Sequence, residues 1–162
     1  MNIIRRSVEL FTPFIGGNII GKVTAKEAPK DFEKFKSPPF SPPKIAFPIV
    51  WPILYLLMGI SYVLVKVKGE DHKAETVAHY TQLSLNFAWS LLYFKVKARR
   101  FALVDSFLLF IAVVMSTIIF FNKRPLAGML LLPYVVWSLY ASYLTTGNYL
   151  LNKENPEYMG RA

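Results

Sequence analysis

With 162 residues, 54% of them apolar, and a mean hydropathy of +0.35, the chain has room for one domain yet carries more apolar sequence than a small water-soluble domain can bury. Its net charge of +9 does not point to nucleic acid, because the lysines and arginines fall in the gaps between apolar blocks and no zinc-finger or RNP-like signature accompanies them. The absence of cysteine excludes disulfides, thiolate catalysis, iron–sulfur clusters and Cys-ligated zinc.

A membrane span needs about 20 mostly apolar residues. The first block, 7–21, is short and contains Glu9 and Pro13, so it reads either as a first span or as an interfacial helix. Arg5 and Arg6 precede it in the manner of a signal peptide, but Gly16, Gly17 and Asn18 make a poor cleavage site and the segment is expected to be retained. Gly17 and Gly21 form a small-xxx-small pair. Residues 22–44 are polar and lysine-rich and end in Ser37-Pro38-Pro39-Phe40-Ser41-Pro42-Pro43. Proline locks φ and removes donors, which predicts a stiff extended connection rather than a helix, covering one end of a bundle. Further spans are expected at 45–65, with Pro48 and Pro52 in its first turns, and at 77–94, 101–121 and 126–151. Short loops make sequential helices antiparallel neighbours. The expected fold is an all-α integral membrane protein, a five-transmembrane-helix bundle forming one domain over 1–162.

Five spans put the termini on opposite sides of the bilayer. One side holds Arg5, Arg6, Lys66, Lys68, Lys73, Lys123 and Arg124; the other holds Lys22, Lys26, Lys30, Lys34, Lys36, Lys44, Lys95, Lys97, Arg99, Arg100, Lys153 and Arg161. The positive-inside rule therefore places the long loop and the C-terminus in the cytosol.

Polar groups in hydrocarbon are costly and should face protein or a cavity. Gln82, Asn86, Trp89 and Ser90 share one helical face, Trp51, Tyr55, Gly59 and Tyr62 another, and Tyr134, Trp137 and Ala141 or Tyr140 a third. Taken singly, Tyr62, Tyr93 and Tyr149 read as interfacial anchors, Asn86 and Gln82 as inter-helix glue, and Asp105 as a cap or a partner of Arg99 or Arg100. Taken together, three aromatic faces and two amides suggest a flat, largely apolar pocket suited to a planar polycyclic ligand. His72 and His79 lack metal-ligand spacing, so no metal is expected, and His79 as an axial haem ligand has no supporting pattern. No nucleophile–base pair, P-loop or GxGxxG supports an enzyme class.

Four motifs stand in order on separate segments: Pro39-Phe40-Ser41-Pro42-Pro43 followed by Phe47-Pro48-Ile49-Val50-Trp51-Pro52-Ile53-Leu54-Tyr55; Tyr80-Thr81-Gln82-Leu83-Ser84-Leu85-Asn86-Phe87-Ala88-Trp89-Ser90; Ala102-Leu103-Val104-Asp105; and Leu132-Pro133-Tyr134-Val135-Val136-Trp137 with Ala141, Leu144 and Asn152. Over nearly its whole length the chain resembles the translocator protein/tryptophan-rich sensory protein (TspO/MBR) family. The resemblance implies a five-helix bundle, often a homodimer, whose first loop closes over a pocket for protoporphyrin IX or haem and, in animal members, cholesterol. It implies ligand contacts at Trp51, Asn86 and Trp137, with Tyr55, Trp89, Tyr134 and Ala141 nearby. No resident cofactor is required, the tetrapyrrole being the ligand and the lipid bilayer the surroundings. Some bacterial relatives degrade protoporphyrin in light, and the two tryptophans implicated there match Trp51 and Trp137; a structural scaffold is the third reading. The chain departs from the family at Lys30-Asp31-Phe32-Glu33, where a Trp-Tyr pair is usual, and at Leu144-Thr145-Thr146. The animal cholesterol motif is broken at Leu150, with a shifted match at Leu144, Tyr149 and Lys153. The glycine-bearing first helix and short N-terminus resemble animal members of the mitochondrial outer membrane, a bacterial membrane being the alternative.

Overall fold

The computed structural model describes residues 3–66 and 70–160; Lys68 and Arg161, two of the cations assigned above, lie outside them. Among the described residues the chain forms six α-helices: α1 (Ile3–Thr24), α2 (Ala28–Lys34), α3 (Ala46–Val65), α4 (Lys73–Ser90), α5 (Arg99–Lys123) and α6 (Pro125–Asn152). A π-helical turn, Leu91–Lys95, continues α4. Helices α3, α5 and α6 are long and apolar enough to cross a membrane.

The distribution of side chains is that of a protein solvated by lipid. Ile49, Ile53 and Leu56 of α3, Ile111, Met115 and Ile118 of α5, and Leu132, Val136 and Leu139 of α6 point outward, while serine and amide side chains are buried between helices. Those serines bond across helix pairs. Ser61 donates to the Ala127 carbonyl at 2.6 Å, Ser116 to Ala78 at 3.1 Å and Ser142 to Ser106 at 3.0 Å, joining α3 to α6, α5 to α4 and α6 to α5. Without water to compete, small residues and interhelical hydrogen bonds are what hold such helices together.

The helices close into a ring in the order α1, α3, α6, α5, α4 and back to α1. This corrects the expectation that sequential helices are neighbours, since the backbones of α3 and α4 stay apart and the two helices meet through long side chains such as Tyr55 on Asn86 and Tyr62 on His79. Close packing of α1 on α3 explains the placement: Gly59 lies against the Leu10 carbonyl, and Gly17 lies under the Tyr55 ring, where a Cβ would have no room. Gly21, the other half of the small-residue pair, faces open space.

The first helix is longer than expected, beginning at Ile3 rather than Ser7. Its buried Glu9 is held by Lys66 at 3.1 Å and by Arg5, one turn earlier, at 3.1 Å. Lys66 also donates to Tyr62 at 3.2 Å. A buried carboxylate with two cations can sit in an apolar helix at tolerable cost. Ile4, Val8, Phe11, Ile15, Ile19 and Val23 meanwhile present an apolar stripe outward.

Residues 22–44 are not extended throughout, contrary to the expectation from their prolines. Helix α1 runs on to Thr24, and α2 forms over Ala28–Lys34 because its proline falls in the first turn, where the missing N–H has no helical partner to lose. The Pro-rich stretch after it is irregular, with a turn at Pro39–Phe40 where Phe40 has φ 59°, and is strapped to α6. Asn152 accepts from the Lys36 N–H at 3.0 Å and donates to its carbonyl at 2.8 Å. Tyr143 donates to Pro39 at 2.8 Å and Tyr140 to Phe40 at 2.5 Å, while Pro38 packs on Gly147.

Arg99, 1% exposed, joins these parts. Its guanidinium donates to Asp31 of α2 at 2.6 Å, to the Tyr93 carbonyl of the π turn at 2.6 Å and to the Tyr158 carbonyl of the C-terminal tail at 3.0 Å. It also lies over the Tyr93 and Tyr158 rings, 4.1 and 4.7 Å from their centroids. The sequence offers Asp105 as a cap or as a partner of Arg99 or Arg100; the folded chain gives Arg99 Asp31, 68 residues away, and leaves one Asp105 oxygen buried without a partner. Replacing Arg99 by Met removes every one of these bonds and strands Asp31. The expected outcome is a loss of about 3 kcal/mol, read as a lower unfolding midpoint in detergent, with faster amide exchange in 28–34 and 154–160.

Candidate functional site

One end of the ring encloses a cavity of about 450 Å³, a size typical of small-molecule sites. Four helices and the lid build it. The last turns of α1 contribute Gly17 and Asn18, α3 contributes Trp51 and Tyr55, and the end of α4 with its π turn contributes Trp89 and Tyr93. Helix α6 adds Ala141, Leu144, Thr145 and Asn148, and α2 with the strapped loop forms the roof through Asp31, Phe32, Phe35 and Pro42.

The helical repeat places these groups. Trp51 and Tyr55 are one turn apart and stack at 5.5 Å with an interplanar angle of 27°. Trp89 and Tyr93 do the same at 5.1 Å and 21°. Ala141, Leu144, Thr145 and Asn148 follow the i, i+3, i+4, i+7 rule on α6. Two stacked aromatic pairs and the small Ala141 give flat walls.

Of the residues expected at the ligand, Trp51, Tyr55, Trp89 and Ala141 line the cavity, whereas Asn86, Tyr134 and Trp137 do not. Those three stand directly behind the wall. Asn86 accepts a hydrogen bond from the Tyr55 hydroxyl at 2.7 Å. Tyr134 and Trp137 meet Trp51 edge to face, at 6.4 and 6.3 Å. Their hydrogen-bonding groups, the Tyr134 hydroxyl and the Trp137 indole N–H, are buried without a partner. Gln82 likewise turns to α3, donating to the Met58 sulfur at 3.6 Å.

Tyr62 and Tyr93, expected as interfacial anchors, are buried. Tyr62 stacks on His79 at 4.0 Å in the half of the bundle away from the cavity, so His79 is packed against an aromatic ring rather than turned toward a ligand. Of the shifted sterol motif only Leu144 reaches the cavity. Five residues of helix turn Tyr149 about 140° away from it, and Lys153 follows the helix end.

Sequence reasoning missed the contributions of α2 and the tail. Phe32 packs on Phe47 at 5.1 Å and Phe35 on Tyr158 at 5.1 Å, so the roof is itself aromatic. Burial pushes the Tyr158 hydroxyl well above the ordinary phenol range, keeping it neutral beside Tyr93. The i, i+3 spacing of Phe32 and Phe35 before the proline run was the available signal.

The TspO/MBR family model matches residues 10–150, which include every wall of this cavity. The chain belongs to the TspO/MBR family. It is 35% identical to the tryptophan-rich protein TspO of Archaeoglobus fulgidus over 153 residues, 94% of this chain and 99% of that one. It is 31% identical to the translocator protein of Homo sapiens over 152 residues, covering 91% and 88% of the two chains. Against the tryptophan-rich sensory protein of Cereibacter sphaeroides the identity is 28% over 127 residues, covering 78% and 79%. Family membership and the lipid-facing helices together make this a membrane protein.

Replacing Tyr55 by Phe leaves the cavity wall in place but strands the Asn86 oxygen. The expected cost is about 1–3 kcal/mol, read from the unfolding midpoint, with little change in the size of ligand the cavity admits.

Proposed function

We propose that the protein is a five-span membrane receptor or carrier for tetrapyrroles, with protoporphyrin IX or haem lying against Trp51 in the aromatic cavity. The observation that carries this reading is the cavity's shape and lining: flat walls from two stacked aromatic pairs, few polar groups, and an aromatic roof tied down over it. Such a site favours a planar, largely apolar body over a compact polar one. Helices α1 and α4 serve as the two further spans; at 22 residues α1 extends about 33 Å. The broken sterol motif, reduced to Leu144 at the cavity, makes the tetrapyrrole the favoured occupant.

Protoporphyrin IX is expected to quench tryptophan fluorescence saturably. The Trp51→Phe, Trp137→Phe double variant should bind it roughly tenfold more weakly, since stacking on an aromatic wall contributes on the order of 1 kcal/mol per contact and Trp137 fixes the pose of Trp51. Affinity unchanged from the parent would sink the cavity assignment.

A second reading, light-dependent porphyrin breakdown, draws on the contact between Trp51 and Trp137, which sets one indole in the wall and a second 6.3 Å behind it. Illuminating the purified protein with protoporphyrin tests it, and the absence of a protein-dependent product would remove it.

The cation-rich end, which carries α2, the cavity and the C-terminal tail, faces the cytosol in this proposal. A protease added from the cytosolic side should cleave a C-terminal tag and spare an N-terminal one.

A further inference from the structure

We propose that Lys22 and Lys36 form an anion subsite at the cavity mouth, so that the occupant is an amphiphile with its flat apolar body on the Trp51 and Trp89 walls and its carboxylates at these two lysines. The inference rests on the ligand reading above and adds what that reading leaves open: which protein groups meet the ligand's carboxylates and which way it points.

Both lysines line the cavity and both are exposed, so each long side chain can carry its ammonium group to the rim. Lys36 springs from a fixed point, because Asn152 holds both its N–H and its carbonyl. Lys22 springs from the last turn of α1.

Neither is ion-paired among the described residues, although carboxylates are close by. Each of those carboxylates is committed elsewhere. Asp31, the acid in the lining, is held at 2.6 Å by the buried Arg99; Glu33 is held by Lys44 at 2.8 Å, Glu157 by Lys34, and Glu27 faces Lys97 at 4.0 Å. The hydrogen bond from Lys44 holds the Glu33 carboxyl below its ordinary range, so it stays an anion for that partner. Glu154 is exposed and outside the lining.

The ion pairing therefore commits Asp31, the acid of the lining, and leaves Lys22 and Lys36 as the unpaired charges of a largely apolar chamber. A low-dielectric wall strengthens the pull of such charges on an anion. An uncharged polycycle gains nothing from them. A dicarboxylate with a flat body satisfies both the walls and the rim.

The test compares protoporphyrin IX with its uncharged dimethyl ester, by fluorescence quenching in a non-ionic detergent. Three proteins are needed: the parent chain, K22Q/K36Q, and K26Q/K30Q, which removes the same charge from lysines that do not line the cavity. The expected result is that the parent prefers the diacid. K22Q/K36Q should lose roughly tenfold for the diacid and nothing for the ester, while K26Q/K30Q matches the parent. Equal binding of diacid and ester by the parent, or equal losses in the two lysine variants, overturns the anion subsite and leaves the tetrapyrrole reading standing. Failure of both porphyrins to bind the parent overturns the reading and the subsite with it.

Discussion

A guanidinium that is 1% exposed must have its donors satisfied and its charge balanced, or the fold around it opens. Arg99 meets that demand with an acid from α2, a carbonyl from the π turn and a carbonyl from the C-terminal tail. None of those three elements is well placed to hold itself. A seven-residue helix is too short to be stable alone, and the turn and tail pack chiefly through one buried tyrosine each, Tyr93 and Tyr158. One buried cation thus converts three weak segments into a roof and a wall. Together with the straps from α6, it holds the roof over the cavity.

The opposite end of the bundle uses a related device. Lys66, following α3, reaches Glu9 of α1, and Tyr62 supports the same ammonium. Helix α1 has an apolar outer stripe and a glycine-bearing inner face that receives the Tyr55 ring at Gly17. A buried ion pair has one good register, and Gly59 against Leu10 permits the approach that the pair needs. Desolvation makes such pairs poor sources of net stability, but breaking one is expensive, which suits them to fixing position.

Between these two ends the interior divides by chemistry. An apolar core of Leu54, Met58, Leu83, Leu109, Val113 and Leu131 fills the middle, serines bonded to neighbouring helix carbonyls tie the helix pairs at several heights, and stacked aromatic pairs fill the cavity end. Asn86, Tyr134 and Trp137 give the cavity wall its rigidity by backing Tyr55 and Trp51. A flat wall held from behind resists the loss of side-chain freedom that binding would otherwise cost.

By itself the sequence determined the lipid-solvated character, the long helices to within a few residues, and the aromatic faces, because each follows from local hydropathy and the 3.6-residue repeat. It also placed Trp51, Tyr55, Trp89 and Ala141 on faces that meet at one site. Tertiary structure alone decided that Asn86 and Trp137 stand behind the wall, that Arg99 pairs with Asp31, and that α3 packs its backbone on α1 and α6 while reaching α4 only through long side chains. Those outcomes depend on which helices meet and at what height. A helical period says which residues share a face, but not which distant face it will meet, nor which of several acids a buried cation will reach first.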